Sequence, residues 1–160
     1  MKTLALLVLV GCSSDVDLGG VYMVTADVSS SPCGTDTPVM MAPVYLKFSE
    51  DSLFGSKIWS YVGCTDAAGT MCDSFGDSFP EPIDNGWQGV ESSDSFSGSS
   101  CTLGYFVHTA TLKSKMLVIE ANDYSDSPTL DQAHCTTDEA EKRNTTMPCF
   151  SHERIEATKL

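Results

Sequence analysis

The side chains that could carry out acid–base or nucleophilic chemistry are scattered along this sequence. His108, His134 and His152 lie far apart, and none stands at the helical spacing at which paired histidines bind zinc. The stretch Gly98-Ser99-Ser100-Cys101 lacks the second glycine of a nucleophile elbow. A hydrolase would have to assemble its acid, base and nucleophile from distant positions. We therefore predict no catalytic residues and no enzymatic activity.

Two acidic runs could bind calcium in principle. Asp73 and Asp77 place carboxylates close together in the sequence, and so do Asp123 and Asp126. Calcium takes six to eight oxygen ligands, and neither run has the alternating ligands and final glutamate of an EF-hand. The sequence therefore predicts neither a metal site nor a cofactor.

The chain as a whole is acidic. It has 22 aspartates and glutamates against 9 lysines and arginines, which gives a formal net charge of −13 at pH 7. A field of this sign repels nucleic acid and anionic lipid head groups. We predict no nucleic-acid partner, and the acidity is typical of a well-solvated surface.

The first residues have the layout of an export signal. Lys2 precedes a short apolar run, and a small residue, Gly11, precedes Cys12. This arrangement is typical of a cleaved secretory signal peptide. The apolar run is too short to cross a bilayer as a helix, which needs roughly 20 residues.

The motif Leu9-Val10-Gly11-Cys12 resembles the lipobox of bacterial lipoproteins. The resemblance implies cleavage after Gly11, leaving Cys12 as the lipid-modified N-terminus. Two or more acyl chains such as palmitate hold a protein stably on a membrane, whereas one does not. In that family, an aspartate directly after the modified cysteine often retains the protein at the inner membrane. The resemblance therefore implies the outer membrane of the cell envelope, because Ser13 occupies this position.

Six other cysteines are predicted to form disulfides, which persist in the oxidising compartments outside the cytoplasm. Six cysteines allow 15 pairings. No two of these cysteines are separated by the two to four residues that are typical of a zinc knuckle. We expect Cys64–Cys72 and Cys135–Cys149, because each pair brackets a short turn-rich segment, and this leaves Cys33–Cys101.

Short segments of alternating apolar and polar residues predict β-strands. In the first strand, Tyr22, Val24, Ala26 and Val28 fall on one face at a period of two. Thr136 and Glu139 form a capping box, which predicts a short helix over 136–143. The predicted strands run over 21–28, 44–49, 57–62, 86–92, 101–112, 116–124 and 149–158.

These elements predict a mainly β domain over 19–160, preceded by a signal peptide over 1–11 and a short tether over 12–18. About seven to eight short antiparallel strands, stapled by disulfides, favour a barrel or a sandwich, and the pattern alone does not choose between them. The Gly20-Val21-Tyr22 opening strand, the late helix and the return strand resemble the small barrel of lipocalins. Tyr22 stands where that family has tryptophan.

Aromatic residues on the predicted strands have two interpretations. Trp59, Tyr61 and Trp87, together with Tyr105 and Phe106, could line a cavity for a small apolar ligand. The alternative, which the pattern favours, is that they pack the core of a filled domain. The first three are the candidate ligand contacts.

The sequence therefore leaves three hypotheses of function. The first is an envelope lipoprotein, anchored to the membrane through Cys12, whose domain binds an envelope protein partner or contributes to the surface. The second is a lipocalin-like carrier of a small apolar ligand. The third, a hydrolase, has the least support.

Overall fold

A computed structural model describes residues 16–40, 43–74 and 76–160, and shows a nearly closed antiparallel β-barrel with one short helix. The described residues form ten strands. They are β1 (Gly20–Ser30), β2 (Thr37–Pro38), β3 (Tyr45–Leu53), β4 (Ser56–Cys64), β5 (Ser78–Phe79), β6 (Glu81–Ile83), β7 (Gly86–Ser97), β8 (Ser100–Lys113), β9 (Met116–Asp126) and β10 (Cys149–Lys159). The helix α1 spans Thr137–Arg143.

The strand order shows how the sheet closes. It runs β5-β4-β3-β1-β10-β9-β8-β7-β6, with β2 paired to β1 outside this path, so the first and last long strands are paired and the short strands β5 and β6 flank the seam. Only Pro80 separates β5 from β6, and β5 also lies against β7 and β8. The chain itself therefore bridges the two edges, which makes the fold a barrel and not a sandwich. Pro82 lies in β6, at the sheet edge where proline is tolerated.

One half of the barrel interior is a packed apolar core, called here the barrel floor. It lies at the end that carries the β3–β4, β6–β7 and β8–β9 turns. Aromatic rings from five strands fill it, with Phe48 and Phe79 stacked at 6.0 Å between ring centroids. Its buried residues are Leu18, Tyr22, Leu46, Phe48, Trp59, Phe79, Trp87, Ala110, Leu117, Ile119, Ile155 and Ala157.

The residues before β1 pack against the barrel floor and cover that end of the barrel. Leu18 is fully buried, and the indole Nε1 of Trp87 donates a hydrogen bond of 2.7 Å to the carbonyl oxygen of Val16. The hydroxyl of Tyr22 donates to the carbonyl oxygen of Leu18, also at 2.7 Å. Residues 16–18, which the sequence assigns to the tether, are thus packed against the barrel.

The predicted helix is confirmed. Thr136 caps α1, and its side chain accepts a hydrogen bond from the backbone N–H of Glu139. Ala140 packs with Cys101 and Leu103 in a second apolar cluster, on the outer face of the sheet. Within the described ranges, no helix is both long enough and apolar enough to span a bilayer.

All six predicted cysteines are paired, but two of the expected pairings are wrong. Cys64–Cys72 is confirmed. The other two disulfides are Cys33–Cys149 and Cys101–Cys135, in place of Cys135–Cys149 and Cys33–Cys101.

The positions of α1 and β10 explain these pairings. The packing of α1 on the outer face of β7 and β8 brings Cys135, just before it, to Cys101. The antiparallel pairing of β10 with β1 brings Cys149, which begins β10, to the loop that carries Cys33. The helix α1 therefore separates Cys135 from Cys149, although the two are close in sequence.

Candidate functional site

The inner face of the barrel changes from apolar to acidic along the strands. On β10, Ala157 and Ile155 belong to the floor, and Glu153 follows on the same face. On β1, Asp27 lies opposite Ile155 and is therefore also on the inner face. The sequence predicts Ala26 on that face, but a register shift after Val24 moves the alternation by one residue and turns Asp27 inward.

The next three strands continue this acidic half of the barrel. Asp123 of β9 lies opposite Phe106 of β8, which in turn lies opposite Glu91 of β7. A cavity of about 110 Å³ opens beside them, where Gly104 contributes no side chain. The inner carboxylates at this end, together called the acidic mouth, are Asp27, Asp77, Glu91, Asp123 and Glu153.

Three of these carboxylates meet around Tyr61. The Tyr61 hydroxyl donates a hydrogen bond of 3.1 Å to Oδ2 of Asp77. Burial, and then the charge of Asp77, raise the pKa of Tyr61 far above its usual range. The carboxyl groups of Asp27 and Glu153 also interact with each other, which by itself lowers the pKa of Asp27 and raises the pKa of Glu153.

Burial is the main cause of raised pKa values in the mouth. It raises the pKa of Glu153, and the charges of Asp27 and Asp77 raise it further. It also raises the pKa values of Asp27 and Asp123. Asp27 is only 8% exposed, and its Oδ1 has no hydrogen-bond partner among the described residues. A buried acceptor without a partner is costly, which makes this oxygen unusual.

His108 lies on the inner face between the floor and the mouth. Its Nε2 donates to the carbonyl oxygen of Ser78 at 2.8 Å, across the seam of the barrel, because a carbonyl can only accept. The ring is 1% exposed, between the rings of Phe79 and Phe106, and its Nδ1 has no partner in the part of the chain that the structure describes. Gly89 makes room for it, since a Cβ there would lie 2.3 Å from Nε2.

The basic side chains make their contacts elsewhere. Lys47 donates to the carbonyl oxygen of Gly69, and Lys159 lies over the ring of Tyr22 at the floor. Arg154 points from the outer face of β10 to Glu120 and Glu156, and Arg143 is held by Glu139 and Asp126 beside the helix. His152, also on the outer face of β10, is the basic group that acts on Glu153. The mouth therefore has an excess of acidic over basic side chains.

All three disulfides lie at the mouth end. Cys64 ends β4, Cys101 is near the start of β8 and Cys149 begins β10, and these strand ends all surround the mouth. The loops that form the rim are therefore held covalently. A rigid rim is suited to binding, because little order has to be imposed when a ligand enters.

No family model, curated protein or solved structure matches this chain. The arrangement of its own residues is therefore the basis for function. In the part of the chain that the structure describes, no three histidine, cysteine or acidic side chains are placed to share a metal ion. The mouth can instead accept hydrogen bonds and offset positive charge.

The structure separates the three aromatic candidates. Trp59 and Trp87 are 3% and 2% exposed and belong to the floor, and Tyr61 joins the acidic mouth. Ligand contact by these side chains stays a prediction. Cys12, the predicted lipidation site, lies outside the described residues.

The other sequence candidates are dispersed. His134 pairs with Asp131 at 2.6 Å on the surface, and His152 pairs with Asp36 at 3.0 Å on the outside of the barrel. The three histidines are therefore not brought together. Of the two acidic runs, Asp77 and Asp123 enter the mouth, whereas Asp126 pairs with Arg143.

The raised pKa values predict that the protein gains stability on mild acidification. Carboxyl groups whose folded pKa is raised stabilise the fold when protonated, and this contribution is lost as pH rises through the folded pKa. Asp27, Asp123 and Glu153 behave in this way. Asp77 and Tyr61 face the pair of Asp27 and Glu153, and His152 acts on Glu153 from the outer face of β10. We expect the Tm to rise as the pH falls from 7 toward the raised pKa values of these carboxyl groups.

Below about pH 4 the trend should reverse. The pKa values of Asp36, Asp66, Asp131 and Glu139 are lowered by their hydrogen-bond partners, so the stability they contribute is lost as pH falls. Calorimetric scans across this range test both limbs. The double variant Asp27→Asn/Glu153→Gln should flatten the slope between pH 5 and 7, and an unchanged slope would contradict the assignment. Asp94→Asn, on the outer face of β7, is the matched control.

Proposed function

We propose that the protein is a lipid-anchored, non-enzymatic binding module of the cell envelope, held on the outer membrane through Cys12. The signal-like first residues and the lipobox resemblance support export and anchoring. The three disulfides also support export, because such bonds are stable in oxidising compartments. In this proposal the lipid anchor orients the barrel, so that one of its two ends is directed away from the membrane.

The observation that carries the proposal is the difference between the two ends of the barrel. The floor is packed and closed by residues 16–18, with a cavity of about 350 Å³ beside its β6–β7 and β8–β9 turns, whereas the mouth is acidic, cross-linked at its rim and has a cavity of about 110 Å³. Val16 follows Cys12 by four residues, which reach at most about 14 Å. A lipid at Cys12 would therefore keep the floor near the membrane, with the acidic mouth directed away from it.

Anchoring is tested by the Cys12→Ser variant. We expect it to move from the membrane fraction to the soluble fraction, because the thiol that would receive the lipid is gone. Ser13→Ala is the control and should stay with the membranes. Full membrane attachment of the Cys12→Ser protein would contradict the anchoring proposal.

Binding is tested by intact mass, measured under native conditions and again after denaturation, on protein extracted gently from its own membranes. A companion present only under native conditions supports the binding role, and its chemistry identifies the ligand class. An apolar companion would favour the carrier alternative. Native and denatured masses that agree, together with no recovered protein neighbour, would count against a binding module.

A further inference from the structure

We propose that the acidic mouth binds a small organic cation that carries primary ammonium groups. This inference rests on the binding role proposed above and names its ligand class. Two observations carry it independently. One is the set of inner carboxylates, and the other is a buried oxygen in that set that the protein leaves without a partner.

The buried oxygen is Oδ1 of Asp27. The residue is 8% exposed and lies on the inner face, and no group among the described residues donates to this acceptor. Its neighbours are other acids, since Glu153 interacts with Asp27, and Asp77 acts electrostatically on Glu153. An ammonium group would supply both the missing donor and the opposing charge.

A second group of carboxylates lies one strand away. Asp123 and Glu153 are diagonal neighbours on β9 and β10, and such positions are about 7–8 Å apart. Asp123 and Glu91 line the cavity of about 110 Å³. A ligand with two ammonium groups on a short carbon chain would reach both groups of carboxylates.

Aromatic rings border the same space and favour an organic cation. Phe106 lines the cavity between the two carboxylates, and Tyr61 lies beside Asp77. Ring faces attract ammonium groups and cover the carbon chain of a ligand. A bare metal ion would use neither ring, and the described carboxylates are not grouped around one point as a metal needs.

The test is calorimetric titration of the intact, detergent-purified protein with 1,4-diaminobutane at pH 7 and low salt. We expect saturable binding at one site that weakens as salt is added, because the attraction is partly electrostatic. 1,4-Butanediol, the neutral analogue, should not bind. No heat of binding with the diamine, or equal binding of the diol, would overturn the proposal.

Two variants assign the site. Asp27→Asn and Asp123→Asn keep the shape of the side chain and remove its charge, and each should weaken diamine binding by about tenfold or more, because a charge-assisted contact is lost. Asp94→Asn removes the same charge from the outer face of β7 and should change the affinity by less than about twofold. Equal losses in all three variants would show a general charge effect and overturn the site. Thermal scans of each variant confirm that it is folded.

Further titrations distinguish the organic-cation proposal from the broader proposal of a binding module. Saturable binding of calcium chloride or of a lysine-rich peptide, with no response to the diamine, would overturn the organic-cation assignment. A different companion in the native mass spectrum would likewise leave the binding module intact and remove this ligand class. The absence of any companion or partner would count against the binding module itself.

Discussion

Replacing Cys33 and Cys149 together with alanine should lower the free energy of unfolding by about 4–5 kcal/mol, the largest effect of the three disulfides. These cysteines are 116 residues apart, so their bond restricts almost the whole unfolded chain. The bond also joins the loop after β1 to the start of β10, and these two strands carry Asp27 and Glu153. Guanidinium unfolding without reductant measures the change.

The other two disulfides provide an internal comparison. Cys101 and Cys135 are 34 residues apart, and Cys64 and Cys72 are 8 apart. Chain entropy then predicts losses of about 4 and about 2.5 kcal/mol for the corresponding double alanine variants. An inverse order would show that native-state packing around each bond, and not restriction of the unfolded chain, sets its contribution.

Trp87→Ala should be the most damaging single substitution at the barrel floor. The side chain is 2% exposed, and its indole holds the carbonyl oxygen of Val16. Truncation leaves a large cavity and an unpaired carbonyl, so we expect a loss of about 3–5 kcal/mol. The midpoint of chemical unfolding reports it.

The Trp87→Phe variant separates packing from the hydrogen bond. Phenylalanine retains most of the buried ring but cannot donate, so the expected loss is about 1–2 kcal/mol. The comparison also addresses the apolar-carrier alternative, in which Trp87 contacts a ligand. A Trp87→Ala protein of unchanged stability but altered ligand content would favour that alternative over packing.

Much of the fold follows from local patterns in the sequence. The alternation around Leu46 and Phe48 predicts β3, and the capping box at Thr136 predicts α1. The pairing of Cys64 with Cys72 is also local, because their segment is too short to place them far apart. These features depend on neighbours in the chain, which is why the sequence alone determines them.

Part of the candidate site left a signal in the sequence. Glu153 continues the alternation of Ile155 and Ala157, so an acid on an otherwise apolar face was visible in advance. Asp27 left no such signal. A bulge between Val24 and Ala26 reverses the expected alternation, and bulges arise from pairing with a partner strand.

The sequence by itself determined the seven long strands, the helix, the acidity and the cysteines available for pairing, but not the short strands β2, β5 and β6. Only the tertiary structure decided that the two edge strands, β5 and β6, are joined by Pro80 and that Cys33 pairs with Cys149. It also decided that carboxylates from five parts of the chain gather at one end of the barrel. The reason is that strand partners, register and bulges depend on contacts between residues far apart in sequence. Periodicity shows which residues share a face, and pairing in three dimensions decides what that face encloses.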